Sequence, residues 1–291
     1  MVELDPPCLG KRFGGRTHPQ FVKPDPNVIF EGSIPGNYDR YLGPAFFEPF
    51  AKDITARLSG ERPAKVLEIA CGTGILTRRL RDSLGSAVQL VATDLNPGMF
   101  AFAQRKFSAN QNIKWQQADA VALPFPDGSF DALVCQFGLM FVPDKQTAMR
   151  ECYRVLSPRG VFLFNVWDSI ERNPIGRIAH ETIASFFDRD PPNFYELPFG
   201  FYEADLIRGL LQRAGFKSIE VSLVTLPCRC SSAANLAIGL VRGNPVSTAI
   251  AERGVNVEDV VWAVSKEIAE CYGAAPVEST MQAFVWRAVH E

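Results

Sequence analysis

The most informative part of the sequence is Lys65-Val66-Leu67-Glu68-Ile69-Ala70-Cys71-Gly72-Thr73-Gly74-Ile75. Its first part is apolar and predicts a short buried strand, and its two glycines predict a tight turn whose backbone no side chain blocks. Residues 75–80 then predict the start of a helix, so backbone N–H groups face whatever lies over the turn. This order of strand, glycine turn and helix predicts a cradle for a nucleotide-like ligand.

One residue before the turn and one residue after it indicate which nucleotide-like ligand the turn binds. A dinucleotide-binding turn has the pattern G-x-G-x-x-G, and Thr77 stands at its third glycine position. Glu68 lies just before the turn, where a carboxylate can pair with an ammonium group. Both residues count against a nicotinamide dinucleotide.

Three further segments follow in a regular order. Residues 90–97 predict a second strand that ends in Asp94, and residues 115–120 predict a third that ends in Asp119. In nucleotide-binding α/β folds an acid at the end of the second strand accepts hydrogen bonds from ribose hydroxyls. Residues 123–137 predict a turn and a fourth strand. A single aspartate at a strand end is more often a turn or cap residue, so the joint order carries the interpretation.

These segments together resemble class I S-adenosylmethionine (SAM)-dependent methyltransferases, specifically the ubiquinone/menaquinone-biosynthesis (type 11) family that acts on small molecules. The resemblance covers residues 38–167, with Ala70 in place of the first glycine of the family's turn. It implies an α/β fold with a Rossmann-like, seven-stranded, mostly parallel sheet. The implied strand order is 3-2-1-4-5-7-6, with strand seven antiparallel, helices on both faces and a helical, aromatic lid.

The resemblance also implies a cofactor and the residues that hold it. The cofactor is SAM, and the product is S-adenosylhomocysteine. The implied cofactor-binding residues are Tyr38, Glu68, Ala70, Cys71, Gly72, Thr73, Gly74, Asp94, Leu95, Met99, Asp119, Ala120, Gln136 and Phe137. For Tyr38 two interpretations stay open: it closes over the methionine end of SAM, or it is a core aromatic that packs its helix onto the sheet.

After residue 167 the chain leaves the family's common plan. Residues 168–202 carry seven Phe and Tyr side chains, and residues 231–275 predict three helices. Both segments follow strands that end at the carboxyl edge of the sheet, where open α/β sheets bind ligands. We therefore predict that they form a lid over SAM and the methyl acceptor. The aromatic side chains either hold a flat or apolar acceptor or form the lid's own small core.

Composition and net charge indicate the domain organisation of the chain and the partners that it is expected to lack. Residues 1–36 are rich in Pro and Gly and predict an extended N-terminal arm, whereas residues 37–291 predict a single domain. The formal net charge is −2, which counts against a nucleic-acid partner. The chain shows neither a signal peptide nor an apolar run long enough for a membrane span, so we expect a cytoplasmic protein without a membrane partner.

The sequence leaves the catalytic residues unknown. His180 is the one histidine in the predicted lid and a weak candidate for a base, and no metal-ligand pattern is evident, so we expect metal independence. The favoured function is methyl transfer from SAM to a small, apolar or aromatic metabolite by in-line displacement. The alternatives are methylation of tRNA or protein and a nicotinamide-dependent oxidoreductase. An oligomer is possible.

Overall fold

The computed structural model describes residues 26–291, in which seven strands form one sheet in the order β3-β2-β1-β4-β5-β7-β6. The strands are β1 (Lys65–Glu68), β2 (Gln89–Asp94), β3 (Ile113–Gln117), β4 (Phe130–Gln136), β5 (Leu156–Trp167), β6 (Ser218–Cys230) and β7 (Val277–Val289). Neighbours among β1 to β5 pair in parallel, and β7 runs antiparallel to both β5 and β6. The strand order and the reversed seventh strand confirm the predicted fold.

The described helices alternate with these strands. They are α1 (Ile34–Asn37), α2 (Glu48–Ser59), α3 (Ile75–Ser83), α4 (Pro97–Arg105), α5 (Lys145–Val155), α6 (Pro174–Ala184), α7 (Glu196–Phe199), α8 (Ala204–Ala214), α9 (Ala233–Arg242), α10 (Val246–Glu252) and α11 (Val257–Tyr272). A π-helical stretch, Tyr38–Phe47, joins α1 to α2, so residues 34–59 form one continuous helix, the N-terminal helix.

Several helix ends follow the local chemistry of the sequence. The Asn96 side chain accepts a hydrogen bond from the Met99 N–H and caps the start of α4. Gly215 ends α8 in a left-handed conformation with φ of +118°. The sequence predicts helices over 232–241, 246–253 and 257–272, and α9, α10 and α11 lie within a residue of these bounds. Helix α6 was not predicted.

Alternation along the strands divides the core between the two faces of the sheet. Leu67 and Leu133 belong to the larger cluster of buried side chains, which extends into the lid, whereas Val66 and Val134 belong to a second cluster beneath α2 and α3. Parallel strands that helices cover on both faces are apolar on both faces. The short apolar runs of the sequence therefore predict buried central strands.

The two predicted lid segments, residues 168–202 and 231–275, pack on each other through α6, α9 and α11. Helix α9 also packs on the N-terminal helix at Gly239, where an added Cβ would lie 2.9 Å from the Tyr41 Cβ. A glycine is required at this position because the two helices approach so closely. The lid and the N-terminal helix therefore form one packed layer over the carboxyl edge of the sheet.

The described part of the predicted arm is not extended. Residues 1–25 lie outside the described residues, but Pro26–Val28 form a 3₁₀ turn and α1 begins at Ile34. Phe30 is only 8% exposed. The Val28 carbonyl accepts a hydrogen bond from Asn96 Nδ2. The prediction of an extended arm rested on the Pro- and Gly-rich composition, which is a local property. The burial of Phe30 depends on contacts with distant residues, and the local sequence does not reveal these contacts.

Candidate active site

The glycine turn after β1 has an unusual backbone. Ala70, Gly72 and Gly74 have positive φ angles of +52°, +56° and +80°. The Cys71 N–H donates to the Thr93 carbonyl at 2.9 Å, which ties the turn to β2. An added Cβ at Gly72 would meet no atom within 4 Å, so the space over the turn is open. The turn therefore presents bare backbone to a ligand.

A carboxylate from β2 holds the turn in this shape. Asp94 Oδ2 accepts a hydrogen bond from the Gly72 N–H at 2.7 Å, and Asp94 Oδ1 accepts one from the Asn96 N–H at 2.8 Å. Asp94 is 8% exposed, and burial raises the pKa of its carboxyl to about 6 despite these bonds. A carboxylate can accept about four hydrogen bonds, so Asp94 keeps acceptor capacity for a ligand.

Beside the turn lies a cavity that we call the turn cavity. Its lining residues are Tyr38, Phe47, Glu68, Ala70, Cys71, Gly72, Thr73, Ile75, Leu76 and Gln136. Seven of the fourteen predicted cofactor residues are among them. Phe47, Ile75 and Leu76 were not predicted, because an apolar residue in a helix has the same local signal whether it lines a cavity or fills the core.

Three buried side-chain oxygen atoms in the lining of the turn cavity, on Glu68, Thr73 and Gln136, have no hydrogen-bond partner among the described residues. Glu68 is 1% exposed, and its Oε2 has no hydrogen-bond partner among the described residues. Burial raises the pKa of its carboxyl to about 8, although hydrogen bonding with Thr77 opposes that rise. Gln136 donates from Nε2 to the Phe47 carbonyl at 3.2 Å, which leaves its buried Oε1 without a donor. Unsatisfied buried acceptors are costly. Their arrangement favours a ligand that brings hydrogen-bond donors or a positive charge.

The remaining predicted residues lie on other sides of the turn. Gly74 and Phe137 do not line the turn cavity, although Phe137 lines the second cavity described below. Leu95 is 58% exposed just after Asp94. Met99 is buried in α4. Asp119 accepts a hydrogen bond from the Val121 N–H through Oδ1 in the loop after β3, and Ala120, the next residue, is partly buried.

A second cavity, which we call the aromatic cavity, lies under the lid. Its lining residues are Phe30, Tyr38, Leu42, Phe46, Phe47, Phe137, Met140, Phe141, Trp167, Phe194, Tyr195, Pro198, Phe199, Leu240 and Asn244. The empty volume is about 490 Å³, including the part open to solvent. Both predicted lid segments contribute to this wall, together with the N-terminal helix and the ends of β4 and β5.

The two cavities share Tyr38 and Phe47. Their rings stack with centroids 4.6 Å apart and an interplanar angle of 15°. Burial, with the nearby charge of Asp94 as a smaller cause, raises the pKa of the Tyr38 hydroxyl far above its ordinary value, so it stays protonated. This stacked pair is the boundary between the turn cavity and the aromatic cavity.

A second stacked pair forms part of the aromatic wall. Phe137 and Trp167 have ring centroids 3.6 Å apart at 13°. Phe137 has a φ of +54°, a left-handed conformation that is strained for a bulky residue. Its N–H donates to the side-chain Oδ1 of buried Asn165 at 3.0 Å, which supports this conformation from β5.

Ionisable groups other than tyrosine are absent from the described lining of the aromatic cavity. His180 does not line it; its ring centroid lies 6.3 Å from that of Tyr195, and its buried Nδ1 has no partner among the described residues. Residues 26–291 contain no group of three or more His, Cys, Asp or Glu side chains placed to hold a metal ion. In the same part of the chain, no helix has the length and apolarity that crossing a bilayer requires.

The strand order, the glycine turn and the acid that ends β2 define a class I SAM-dependent methyltransferase. A family model described as a methyltransferase domain matches residues 67–164. The chain is 32% identical over 184 residues to the ubiquinone/menaquinone biosynthesis C-methyltransferase of Escherichia coli, covering 58% of this chain and 73% of that protein. It is 28% identical to the demethylmenaquinone methyltransferase of Staphylococcus epidermidis, covering 71% of this chain and 90% of that one.

Solved structures show the same fold at low sequence identity. A phosphoethanolamine N-methyltransferase of Haemonchus contortus, in complex with S-adenosylhomocysteine, superposes with a TM-score of 0.55 at 14% identity. The match covers 88% of this chain and 56% of that one. The YcgJ protein of Bacillus subtilis gives a TM-score of 0.51 at 17% identity, covering 81% of this chain and 97% of that one.

The chain belongs to the ubiquinone/menaquinone-biosynthesis family of SAM-dependent methyltransferases. It is therefore an enzyme that uses SAM as its methyl donor. The hypothesis of a nicotinamide-dependent oxidoreductase is wrong, since the matched family and the curated relatives are methyltransferases.

Proposed function

We propose that the methionyl end of SAM occupies the turn cavity. Glu68 Oε2 and Gln136 Oε1 are acceptors without donors among the described residues, and an ammonium group would satisfy both. The open space over Gly72 leaves room for a carboxylate to approach turn N–H groups. These observations fit an amino acid moiety better than they fit a phosphate, because the acceptors without donors require the hydrogen-bond donors that an ammonium group brings and a phosphate lacks.

The nucleoside end of SAM would lie along the ends of β2 and β3. Asp94 keeps acceptor capacity for the ribose hydroxyls beside its bonds to the backbone. Leu95 presents an exposed apolar side chain next to it, on which an adenine ring can pack. Asp119 then provides an acceptor for the adenine amino group. Met99 and Ala120 are the predicted neighbours of the adenine ring.

The acceptor that fits the aromatic cavity best is an apolar, aromatic metabolite of the quinone type. The observation that carries this proposal is the shared boundary: the aromatic cavity meets the turn cavity at the stacked rings of Tyr38 and Phe47. A flat ring can stack against the wall that Phe137 and Trp167 form. The relatives named for demethylmenaquinone and ubiquinone/menaquinone methylation support the same class of acceptor.

The residues of this chain act mainly by alignment. SAM carries its methyl group on a sulfonium. In an in-line displacement the acceptor forms a bond to the methyl carbon while the bond from that carbon to sulfur breaks, and S-adenosylhomocysteine is the leaving group. The N-terminal helix and the lid hold the two ligands on either side of the Tyr38 boundary, and such positioning can supply about 7–11 kcal/mol. The apolar wall excludes water. The described lining contains protonated tyrosines and no carboxylate, lysine or histidine that could act as a base, so the acceptor must bind as an anion whose proton has already passed to solvent.

The test is methyl transfer from radiolabelled SAM to demethylmenaquinol, kept reduced, with extraction of the product into organic solvent. We expect label in the organic phase with the wild-type chain and much less with Glu68→Gln. For comparison, the enzyme and radiolabelled SAM are incubated with total tRNA and with a protein lysate, and the label incorporated into each is measured. Label in tRNA or protein, with none in the extracted quinone, would contradict the proposed acceptor.

A further inference from the structure

Two buried side chains form a polar cluster in the otherwise apolar wall of the aromatic cavity. The Tyr195 hydroxyl donates to the Leu240 carbonyl at 2.8 Å, and Asn244 Nδ2 donates to the same oxygen at 2.9 Å. Tyr195 is 4% exposed and Asn244 6% exposed, and both line the cavity. Neither was predicted as a site residue from the sequence.

The carbonyl at the centre of the cluster fixes the direction of both partners. A backbone carbonyl can only accept hydrogen bonds, so Tyr195 must donate its proton to Leu240 and Asn244 must turn Nδ2 towards it. Burial holds the pKa of Tyr195 far above its ordinary value, so the hydroxyl keeps that proton. The same Asn244 amide also interacts with the Tyr195 hydroxyl. The Tyr195 proton and one of the two Nδ2–H groups of Asn244 are therefore occupied, and the amide lies next to the Tyr195 hydroxyl.

The side-chain oxygen of Asn244 is the atom of this cluster that can accept a hydrogen bond from a ligand. Asn244 Oδ1 accepts no hydrogen bond from any residue in the described range, although the side chain is almost fully buried. A ligand hydroxyl or N–H group would satisfy it. A ligand carbonyl or ether would instead place a second acceptor against it, and buried acceptors without donors are costly.

We propose that Asn244 is a specificity-determining residue whose Oδ1 accepts a hydrogen bond from a hydroxyl or N–H group of the aromatic acceptor. Tyr195 is a positioning residue that acts through the shared Leu240 carbonyl. This inference rests on the proposed function, since it requires an aromatic acceptor in the aromatic cavity. A buried polar group discriminates strongly against a ligand that lacks its hydrogen-bond partner.

The test compares two ligands that share a ring system but differ in one donor, 1-naphthol and 1-methoxynaphthalene. Affinities are measured by equilibrium dialysis, so the readout does not depend on turnover. We expect the wild-type chain to prefer 1-naphthol by about tenfold. Asn244→Leu should remove this preference and leave the affinity for 1-methoxynaphthalene within about twofold. Tyr195→Phe should reduce the preference in part.

Tyr153→Phe is the matched control, because its hydroxyl lies away from the cavity, 3.4 Å from the Glu291 carbonyl. It should keep the full preference. An unchanged preference in a folded Asn244→Leu chain would overturn the inference. If that variant does not fold, a full preference in Tyr195→Phe would overturn it. Equal wild-type binding of both ligands would overturn this inference alone, whereas binding of neither would also overturn the aromatic acceptor.

Discussion

Ala70 and Gly138 touch across the start of the glycine turn: a Cβ added to Gly138 would lie 2.3 Å from the Ala70 Cβ. Ala70 stands where the family's turn has glycine, and it adopts the left-handed conformation that glycine tolerates. The methyl group of Ala70 occupies the space that the missing side chain of Gly138 leaves. The departure from the family pattern at one position is therefore accommodated at another.

This contact predicts a coupled pair of substitutions. Gly138→Ala should destabilise the fold by about 1–3 kcal/mol through overpacking. Adding Ala70→Gly should recover part of that loss, because it removes the clash and the strained left-handed alanine. Recovery should be incomplete, since Cys135 Sγ also lies 3.0 Å from the added Cβ. Urea unfolding of the single and double variants measures the coupling, and additive free energies of unfolding would contradict it.

The raised pKa of Glu68 predicts that SAM binding releases a proton. Burial raises this pKa to about 8, with the charge of Asp94 as a further cause, so the carboxyl is mostly protonated at pH 7. Pairing with an ammonium group requires the carboxylate, so affinity should rise as the pH rises from 6 towards 8. Calorimetry in buffers with different ionisation enthalpies should count up to about one proton released at pH 7.

Glu68→Gln is the control for this titration. It should lose the proton release and bind SAM more than about tenfold more weakly, a cost of about 1.4 kcal/mol. The same proton release in wild type and variant would show that another group titrates. An equal loss of affinity for SAM and for an analogue without the amino group would also contradict the role of Glu68.

Asp94→Asn should weaken SAM binding by about tenfold or more, because charge-assisted hydrogen bonds are worth about 1.5–3 kcal/mol each. The substitution also sets an amide NH₂ against one of the N–H groups of Gly72 and Asn96, so thermal melts must accompany the calorimetry. Asp119→Asn should cost less, since one contact to the adenine amino group is at stake. Unchanged SAM affinity in folded Asp94→Asn would remove Asp94 from the site.

The structure separates two lid phenylalanines that the sequence does not distinguish. Phe194 is 2% exposed and lines the aromatic cavity, whereas Phe186 is partly buried and does not line it. Phe194→Ala should raise the acceptor KM by about tenfold and change SAM affinity by less than about threefold. Phe186→Ala should leave the acceptor KM near the wild-type value.

Both substitutions remove a packed ring, so a loss of stability is the competing explanation for any kinetic change. Phe194→Ala can cost about 3–5 kcal/mol of folding free energy. Melting curves of both variants show whether the chain is folded at the assay temperature. A folded Phe194→Ala chain with a wild-type acceptor KM would mean that the lid aromatics only pack against one another.

Local signals account for what could be predicted. The glycine turn after β1, the strand that ends in Asp94 and the Asn96 cap of α4 each depend on a few neighbouring residues. Their order along the chain carries the resemblance to the methyltransferase family, and that resemblance implies the parallel sheet and its strand order. The helices of residues 231–275 follow from the spacing of their apolar residues.

Local sequence patterns and the resemblance to a family were thus sufficient to predict the fold, the cofactor class and the edge of the sheet where the ligands would lie. Which aromatic rings form a cavity and which fill the core depends on tertiary contacts. Phe30, Tyr38, Trp167 and Tyr195 come from distant parts of the chain, and each has the same local signal in either setting. Asn244 acquires its role because Tyr195 and the Leu240 carbonyl meet it in the fold. Sequence patterns predict secondary structure and which residues are buried. An unpaired hydrogen-bond acceptor in the wall of the aromatic cavity arises instead from contacts between distant residues.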